Sequence, residues 1–543
     1  MISSLVWVRK GAAQQIPDRY SLTDEEFSSL ADRIGAQLED AREGLEDAKN
    51  VDVTMDEDTP DQKAQTAANA MGKELAEYNL DTYDDDSEPE EESSTAIPLF
   101  SKIQGLTYHG SNDEDPYVTV KDQEDEDEEL REMEIMPGDN LLLAAKTEDD
   151  ISHLEVYLYE EEEDNLFVHH DIMLPSFPLC LEWMDFRVGK KKDLSTPGNY
   201  IAIGTFDPEV EIWDLDMVDA VYPECILGGT SQPGLDAGEG GKKKKKKFGP
   251  ARVAKKANAE RHVDAVMSIS WNSSHRNLIA TGSADTTVKL WDLSAPEKAV
   301  RSFTQHKDKV QGVAWNKGEP TVLLTGGYDK RCCAFDSRAP TAVTEWKLKA
   351  DVECIKWDPF HPERFFVSTE DGLVKCFDAR QSGSAPLFTL HAHDAAVSSF
   401  DVSPVIEGLL VTGSTDKMVK VWNIKDAKPS CLVSRDLDLG KVFAATFSPD
   451  SPYCVAAAGS KGKVLVWNLE NNAGVRRAFG PTQFNEAPVQ TNTQRKEVTG
   501  VESDHEGDED EDEEAVDGMA MDVDQDQDQD EDDEEEEEDE DHV

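Results

Sequence analysis

Short runs in which apolar and polar residues alternate recur along most of the chain, and each set of runs closes on an aromatic residue followed by a polar one. Ahead of Trp291 the segment "HVDAVMSISWNSSHRNLIATGSADTTVKLWD" alternates through 266–270, breaks at the polar stretch 272–276, turns apolar through 278–281, bends at Ser-Ala-Asp and alternates again up to the tryptophan. A period of two sends successive side chains to opposite faces, so the segment reads as three strands joined by two turns. The stretches starting near His306 and His393 follow the same plan. Equivalent endings are "EVEIWDLD" at Trp213, "RCCAFDSR" at Phe335, "LVKCFDAR" at Phe377, "MVKVWNIK" at Trp422 and "KVLVWNLE" at Trp467.

From Trp291 onward these aromatic residues follow one another at intervals of 44, 42, 45 and 45 residues. A unit of this size cannot bury both faces of its own small sheet, so such units must stack on one another, and the period matches that of WD40 repeats. Trp213 stands 78 residues before Trp291, which is one unit plus an insertion near 229–258. Further upstream, "NLLLAAKTEDDISHLEVYLYE" supplies two more apolar runs with Tyr157 near the aromatic position. Seven units are therefore expected, centred on Tyr157, Trp213, Trp291, Phe335, Phe377, Trp422 and Trp467, and the predicted fold is all-β: a seven-bladed WD40 β-propeller over 115–480. An open ring would expose two strand edges. "DPYVTV" at Asp115–Val120, or less favourably "SLVWV" near the N-terminus, is expected to add the outer strand of the last blade.

The flanks differ in composition. Residues 1–114 are predicted to form an acidic arm, mostly disordered, with an amphipathic helix near 23–46. There Thr23 and Glu26 form a capping box, and Phe27, Leu30, Ile34, Leu38 and Leu45 lie on one stripe, suited either to packing back on the propeller or to a partner's groove. A weaker helical pattern runs through Met71, Leu75 and Tyr78. Residues 481–543 are predicted to be a disordered acidic tail, because the last 43 residues hold 27 Asp or Glu and no Lys or Arg. The whole chain of 543 residues has 115 acidic and 54 basic side chains, a formal net charge of -61. Such a field repels bare nucleic acid and anionic membrane except at local basic patches, and it attracts basic proteins. Eight scattered cysteines with no C-x-x-C pair are expected to be free thiols in a reducing compartment rather than bridges or zinc ligands. No apolar run approaches the ~18 residues of a membrane span, so a soluble intracellular protein is expected.

Candidate chemistry begins with a recurring constellation: His262, Thr281, Asp285 and Trp291; His306, Thr325, Asp329 and Phe335; His393, Thr412, Asp416 and Trp422. It imitates a hydrolase triad with threonine as nucleophile. Yet it recurs once per blade in three blades, and catalytic centres are not repeated at a structural period. The expected role is a buried hydrogen-bond chain in which Asp orients His, His bonds Thr and the aromatic ring covers them. Asp207 and Asp371 stand six residues before Trp213 and Phe377, whereas Lys461 takes that place in the last blade and predicts a looser turn there. The adjacent His169 and His170, followed by Asp171, should point to opposite faces of a strand and act as ordinary strand polar residues. No phosphate-cradling loop, nucleophile elbow or zinc-protease helix is present, so no catalytic, cofactor-binding or metal-ligating residue is assigned and no enzyme is expected.

The run "GEGGKKKKKKFGPARVAKK" opposes the general charge with Lys242, Lys243, Lys244, Lys245, Lys246 and Lys247, helped by Arg252, Lys255 and Lys256. Three uses fit it: a signal for an import receptor, contact with RNA phosphates, or a solvated linker. Its place between the Trp213 strand and the next blade predicts that it emerges on the rim of the Asp285-type turns. Ser87 and Ser503 lie in acidic contexts that suit an acid-directed kinase.

Beyond the repeats, the chain resembles the periodic tryptophan protein 1 family of WD40 proteins through "MISSLVWVRKG", "EYNLDTYDDD", "DNLLLAAKTEDDISHLEVYLY", "LFVHHDIMLPSFPLCLEWMDF", "YIAIGTFDPEVEIWDLD", the lysine insertion, "LLTGGYDKR" and "VSRDLDLGKV". The resemblance implies a non-catalytic nucleolar scaffold in ribosome biogenesis, associated with precursor large-subunit particles and pre-rRNA processing. In animals the family is also linked to rRNA gene transcription and histone association. Expected partners are pre-ribosomal proteins and rRNA, basic ribosomal proteins or histones through the acidic segments, and an import receptor through the lysine block. No cofactor and no membrane partner are expected, and the chain should be a monomer within a larger complex. The alternative is an acidic chaperone for histones or for a ribosomal protein, acting at chromatin or before assembly.

Overall fold

The three strands expected ahead of Trp291 are Val266–Trp271, Leu278–Ser283 and Val288–Asp292, and a fourth, Arg301–Phe303, adds to their outer edge. The same antiparallel four-stranded sheet occurs seven times among the described residues. In this computed structural model those are residues 1–20, 133–149, 151–161, 163–188, 197–229, 258–381, 383, 385–480 and 498–500. The innermost strands are Ile2–Trp7, Pro178–Met184, Val266–Trp271, Val310–Trp315, Val352–Trp357, Ser399–Val402 and Val442–Phe447. Each contacts the next, and the seventh contacts the first, so the ring is closed. We number the blades 1 to 7 in that order.

Each strand alternates between the two faces of its blade, and both faces are buried against neighbouring blades. The apolar core is accordingly divided into seven clusters, one for each interface between adjacent blades. The aromatic positions found by periodicity lie in these clusters: Trp213, Trp291 and Trp467 are at most 1% exposed. The innermost strands leave amide edges that their own sheets do not use. Side chains of the preceding blade satisfy several of them: Glu182 accepts from Trp271 N at 2.9 Å, Ser270 Oγ from Trp315 N at 3.2 Å, and Asp401 Oδ2 from Phe447 N at 2.9 Å.

Closure differs from the expectation. Ile2–Trp7 forms the innermost strand of blade 1, paired with Asn140–Glu148, and does not clasp the last blade's outer edge. That outer edge is Val498–Gly500, paired with Leu465–Trp467. The sheets thus draw on residues at both ends of the predicted 115–480 span, taking one strand from the stretch expected as an arm and one from the stretch expected as a tail. The physical reason lies in burial: Ile2, Leu5 and Trp7 are at most 8% exposed, wedged between blades 7 and 1, where an outer-edge strand would leave one side wet. Trp7 Nε1 donates to Thr446 O of blade 7 at 3.4 Å, and the N-terminal ammonium donates to Thr147 O at 2.6 Å. Asp115–Val120, the helix predicted near 23–46, the pattern at Met71 to Tyr78, Ser87, the lysine block, Ser503 and the acidic tail lie outside the described residues. One short helix, Ala473–Phe479, follows blade 7's third strand and is capped by Asn472.

Candidate functional site

The recurring constellation is brought together in blades 3, 4 and 6. In blade 3, Trp291 Nε1 donates to Thr281 Oγ1 (2.9 Å), Thr281 Oγ1 meets His262 Nε2 (2.7 Å), and His262 Nδ1 meets Asp285 Oδ2 (3.0 Å). These distances satisfy every member if the hydroxyl donates to Nε2 and the imidazole carries its proton on Nδ1. Asp285 also accepts from the backbone and hydroxyl of Thr287, at 2.9 and 2.6 Å. Burial holds the His262 pKa below its usual range, so the ring is neutral. Burial would raise Asp285, but the bonds from His262 and Thr287 outweigh it and bring the carboxyl down to about 2.

Blade 6 repeats the chain through Trp422, Thr412, His393 and Asp416, at 3.0, 2.8 and 2.8 Å. In blade 4 His306 joins Thr325 (2.8 Å) to Asp329 (3.0 Å), but Phe335 has no N–H to offer. Thr281, Thr325 and Thr412 are fully buried, and nothing resembling a substrate cleft opens on them. These groups orient the rim turns of their blades.

Blade 7 departs further than its Lys461 suggested. Ala457 stands where Thr281 stands, since Val455 pairs with Trp467 as Ile279 pairs with Trp291. Asp438 and Lys461 hold the places of histidine and aspartate and form an exposed ion pair. With no hydroxyl beneath it, Trp467 Nε1 is buried without a hydrogen-bond partner.

The adjacent histidines also differ from expectation. The pairing of Asn165–Leu174 with its neighbour shifts between Val156/His170 and Tyr157/Val168, which leaves His169 as the extra residue of a bulge. A bulge breaks the alternation that would have parted the rings. His169 Nδ1 lies 2.8 Å from His170 Nδ1, and His169 Nε2 meets Met133 O at 3.0 Å. Among the described residues no group of three His, Cys, Asp or Glu is placed to hold a metal. All eight cysteines are free, and burial pushes the thiols of Cys225, Cys333 and Cys376 up to about 12, which removes them from thiolate chemistry.

Two surface regions remain. A cavity of 740 Å³ at the channel mouth, on the side where the innermost strands end, is lined by Trp315, Lys317, Lys356, Trp357, Asp358 and Asp450 among others. Its charges are largely consumed by the framework: Lys356 Nζ bonds Asp401 at 2.7 Å, and Asp358 Oδ1 caps Phe360 N at 3.0 Å. Burial pushes Glu182 there up to about 7. On the opposite, upper rim, the turn of blade 2 presents Phe206, 58% exposed, against Phe177. Sequence reading missed this pair, although Phe206 precedes Asp207 at a turn position. The lysine insertion was expected on this rim. Its ends lie instead on the outer flank of blade 3, where Gly228 N bonds Pro296 O (3.0 Å) and Asn258 O accepts from Lys289 Nζ (2.6 Å). The outer strand Arg301–Phe303 has only three residues and leaves room for that segment.

A closed ring of seven four-stranded blades with repeated His-Asp turn networks defines a WD40 β-propeller protein. The profile of the WD domain, G-beta repeat family matches 256–292, 297–336, 384–423 and 436–468, which fall in blades 3, 4, 6 and 7. An uncharacterized WD repeat-containing protein of Schizosaccharomyces pombe is 46% identical, with 94% of this chain and 96% of that one covered. Periodic tryptophan protein 1 of Saccharomyces cerevisiae is 34% identical over 88% of this chain and 90% of its own. The periodic tryptophan protein 1 homolog of Drosophila melanogaster is 30% identical over 88% and 96%. The chain belongs to the periodic tryptophan protein 1 family.

Proposed function

We propose that the protein is a non-catalytic nucleolar scaffold of ribosome biogenesis, serving precursor large-subunit assembly and pre-rRNA processing. The observation that carries this reading is the use of every recognisable His-Thr-Asp constellation as buried framework, which leaves surfaces as the working parts. Family membership supplies the process, and the net charge of -61 suits a chain that engages basic ribosomal proteins and competes with rRNA for them. Lys242–Lys247 with Arg252, Lys255 and Lys256 would serve nuclear import and then contact rRNA phosphates, and Ser87 and Ser503 would take phosphate from an acid-directed kinase.

Sucrose-gradient sedimentation of a nucleolar extract tests the reading. The protein should travel with large precursor particles and precursor rRNA should co-purify. Recovery only in light fractions without precursor rRNA would overturn the scaffold in favour of the second reading, an acidic chaperone for histones or a ribosomal protein, which the same charge supports.

A further inference from the structure

We propose that the upper rim over blades 1 and 2 is a docking surface for a partner protein segment whose apolar side chains are flanked by lysine or arginine. Phe206 crowns the turn of blade 2 at a position that blade 3 fills with Ala284 and blade 6 with Thr415. It is 58% exposed and cannot move freely: its backbone N–H donates to Phe177 O at 3.1 Å, and the two rings stand 5.2 Å apart, tilted by 37°. On the adjoining end of blade 1, Ile151 and Met173 are 55% and 59% exposed. Single exposed apolar residues are ordinary, but a rigid aromatic pair beside two more on one arc offers an anchor site for a partner's side chains.

The charge around this shelf is of one sign. Glu148, Asp149, Asp207 and Glu209 are exposed on the same turns. Glu211, one step down the strand, is raised by burial and then by Asp207 and Glu209, which shows that these carboxylates share a field. The nearby cation, Lys146, is held by Glu155 at 2.9 Å and by Glu148 at 3.6 Å. An apolar centre with an anionic border selects a cationic, apolar-bearing segment and repels a bare polyanion such as RNA. This deepens the scaffold reading and rests on it for the kind of partner, a basic protein extension.

The test uses the full-length protein and a fluorescein-labelled peptide bearing two phenylalanines between lysine triplets, with a control peptide in which serines replace the phenylalanines. Anisotropy titrations should show tighter binding of the phenylalanine peptide, weakened at least tenfold by Phe206→Ser and by Glu209→Lys, both exposed positions at which melting should not change. Equal binding of the two peptides, or no loss in either variant, would overturn the proposal. So would occupation by the chain's own basic segment, read as a large gain in peptide affinity when Lys242–Lys247 are replaced by serine. Peptide binding reads this surface alone. If it is lost in Phe206→Ser while wild type does not sediment with precursors, the surface stands and the scaffold reading falls; the reverse pair of results sinks the surface and keeps the scaffold.

Discussion

Replacing Thr281 by valine keeps the side-chain volume and removes one hydroxyl. In blade 3 that hydroxyl accepts from Trp291 Nε1 at 2.9 Å and meets His262 Nε2 at 2.7 Å, and all three residues are at most 2% exposed. The substitution therefore strands a buried indole N–H and a buried imidazole nitrogen. Each orphaned group costs about 1–3 kcal/mol, so Thr281→Val should destabilise the propeller by roughly 2–4 kcal/mol. Thr325→Val in blade 4 is an internal control. Phe335 supplies no N–H there, so only His306 Nε2 loses its partner, and the cost should be about half as large. Urea unfolding followed by tryptophan fluorescence measures both, and Thr281→Ser should recover most of the loss. Blade 7 reverses the experiment. Ala457→Ser would give Trp467 Nε1 an acceptor, with Leu465 O opposite as the hydroxyl's own acceptor, and should stabilise by about 1 kcal/mol. If Thr281→Val falls within ~0.5 kcal/mol of wild type, as ordinary surface changes do, the chain of bonds contributes nothing and the reasoning fails.

Two further outcomes follow from the geometry. Deleting Met1–Trp7 removes the innermost strand of blade 1 with Ile2, Leu5 and Trp7; at about 1.5–3 kcal/mol per buried side chain, thermal unfolding should drop markedly and limited proteolysis should open blades 7 and 1, whereas an unchanged melting curve would show that another segment closes the ring. The second concerns pH. Burial, and then His169, lower the His170 pKa to about 4, below the ~6.5 of an unfolded histidine, so the unfolded chain takes the proton first as pH falls. Stability should be lost between about pH 6.5 and 4, by up to about 3 kcal/mol, and His170→Gln should flatten that slope. A wild-type slope that survives the substitution would move the effect elsewhere.

What was legible in the sequence was whatever repeats. Strand alternation and the aromatic period located seven blades, because a blade buries both faces only against copies of itself and so must carry the same pattern each time. The His262, His306 and His393 chains were legible for the same reason. The residues that made blade 7 an exception were visible too, but the orphaned Trp467 nitrogen follows from Ala457, whose importance appears only when register sets it beneath the ring. Closure was not legible: "ISSLVW" alternates equally well as an inner or an outer strand, and contact with Thr446, 439 residues away in sequence, decides between them. The bulge that joins His169 to His170 is likewise a property of pairing between strands, invisible to the alternation within one. The Phe177 and Phe206 shelf escaped because it is made by two turns of different blades meeting on one rim. Local pattern determined the units and their number; which units meet, where the ring shuts and which side chains share a surface were decided by contacts between residues far apart in the chain.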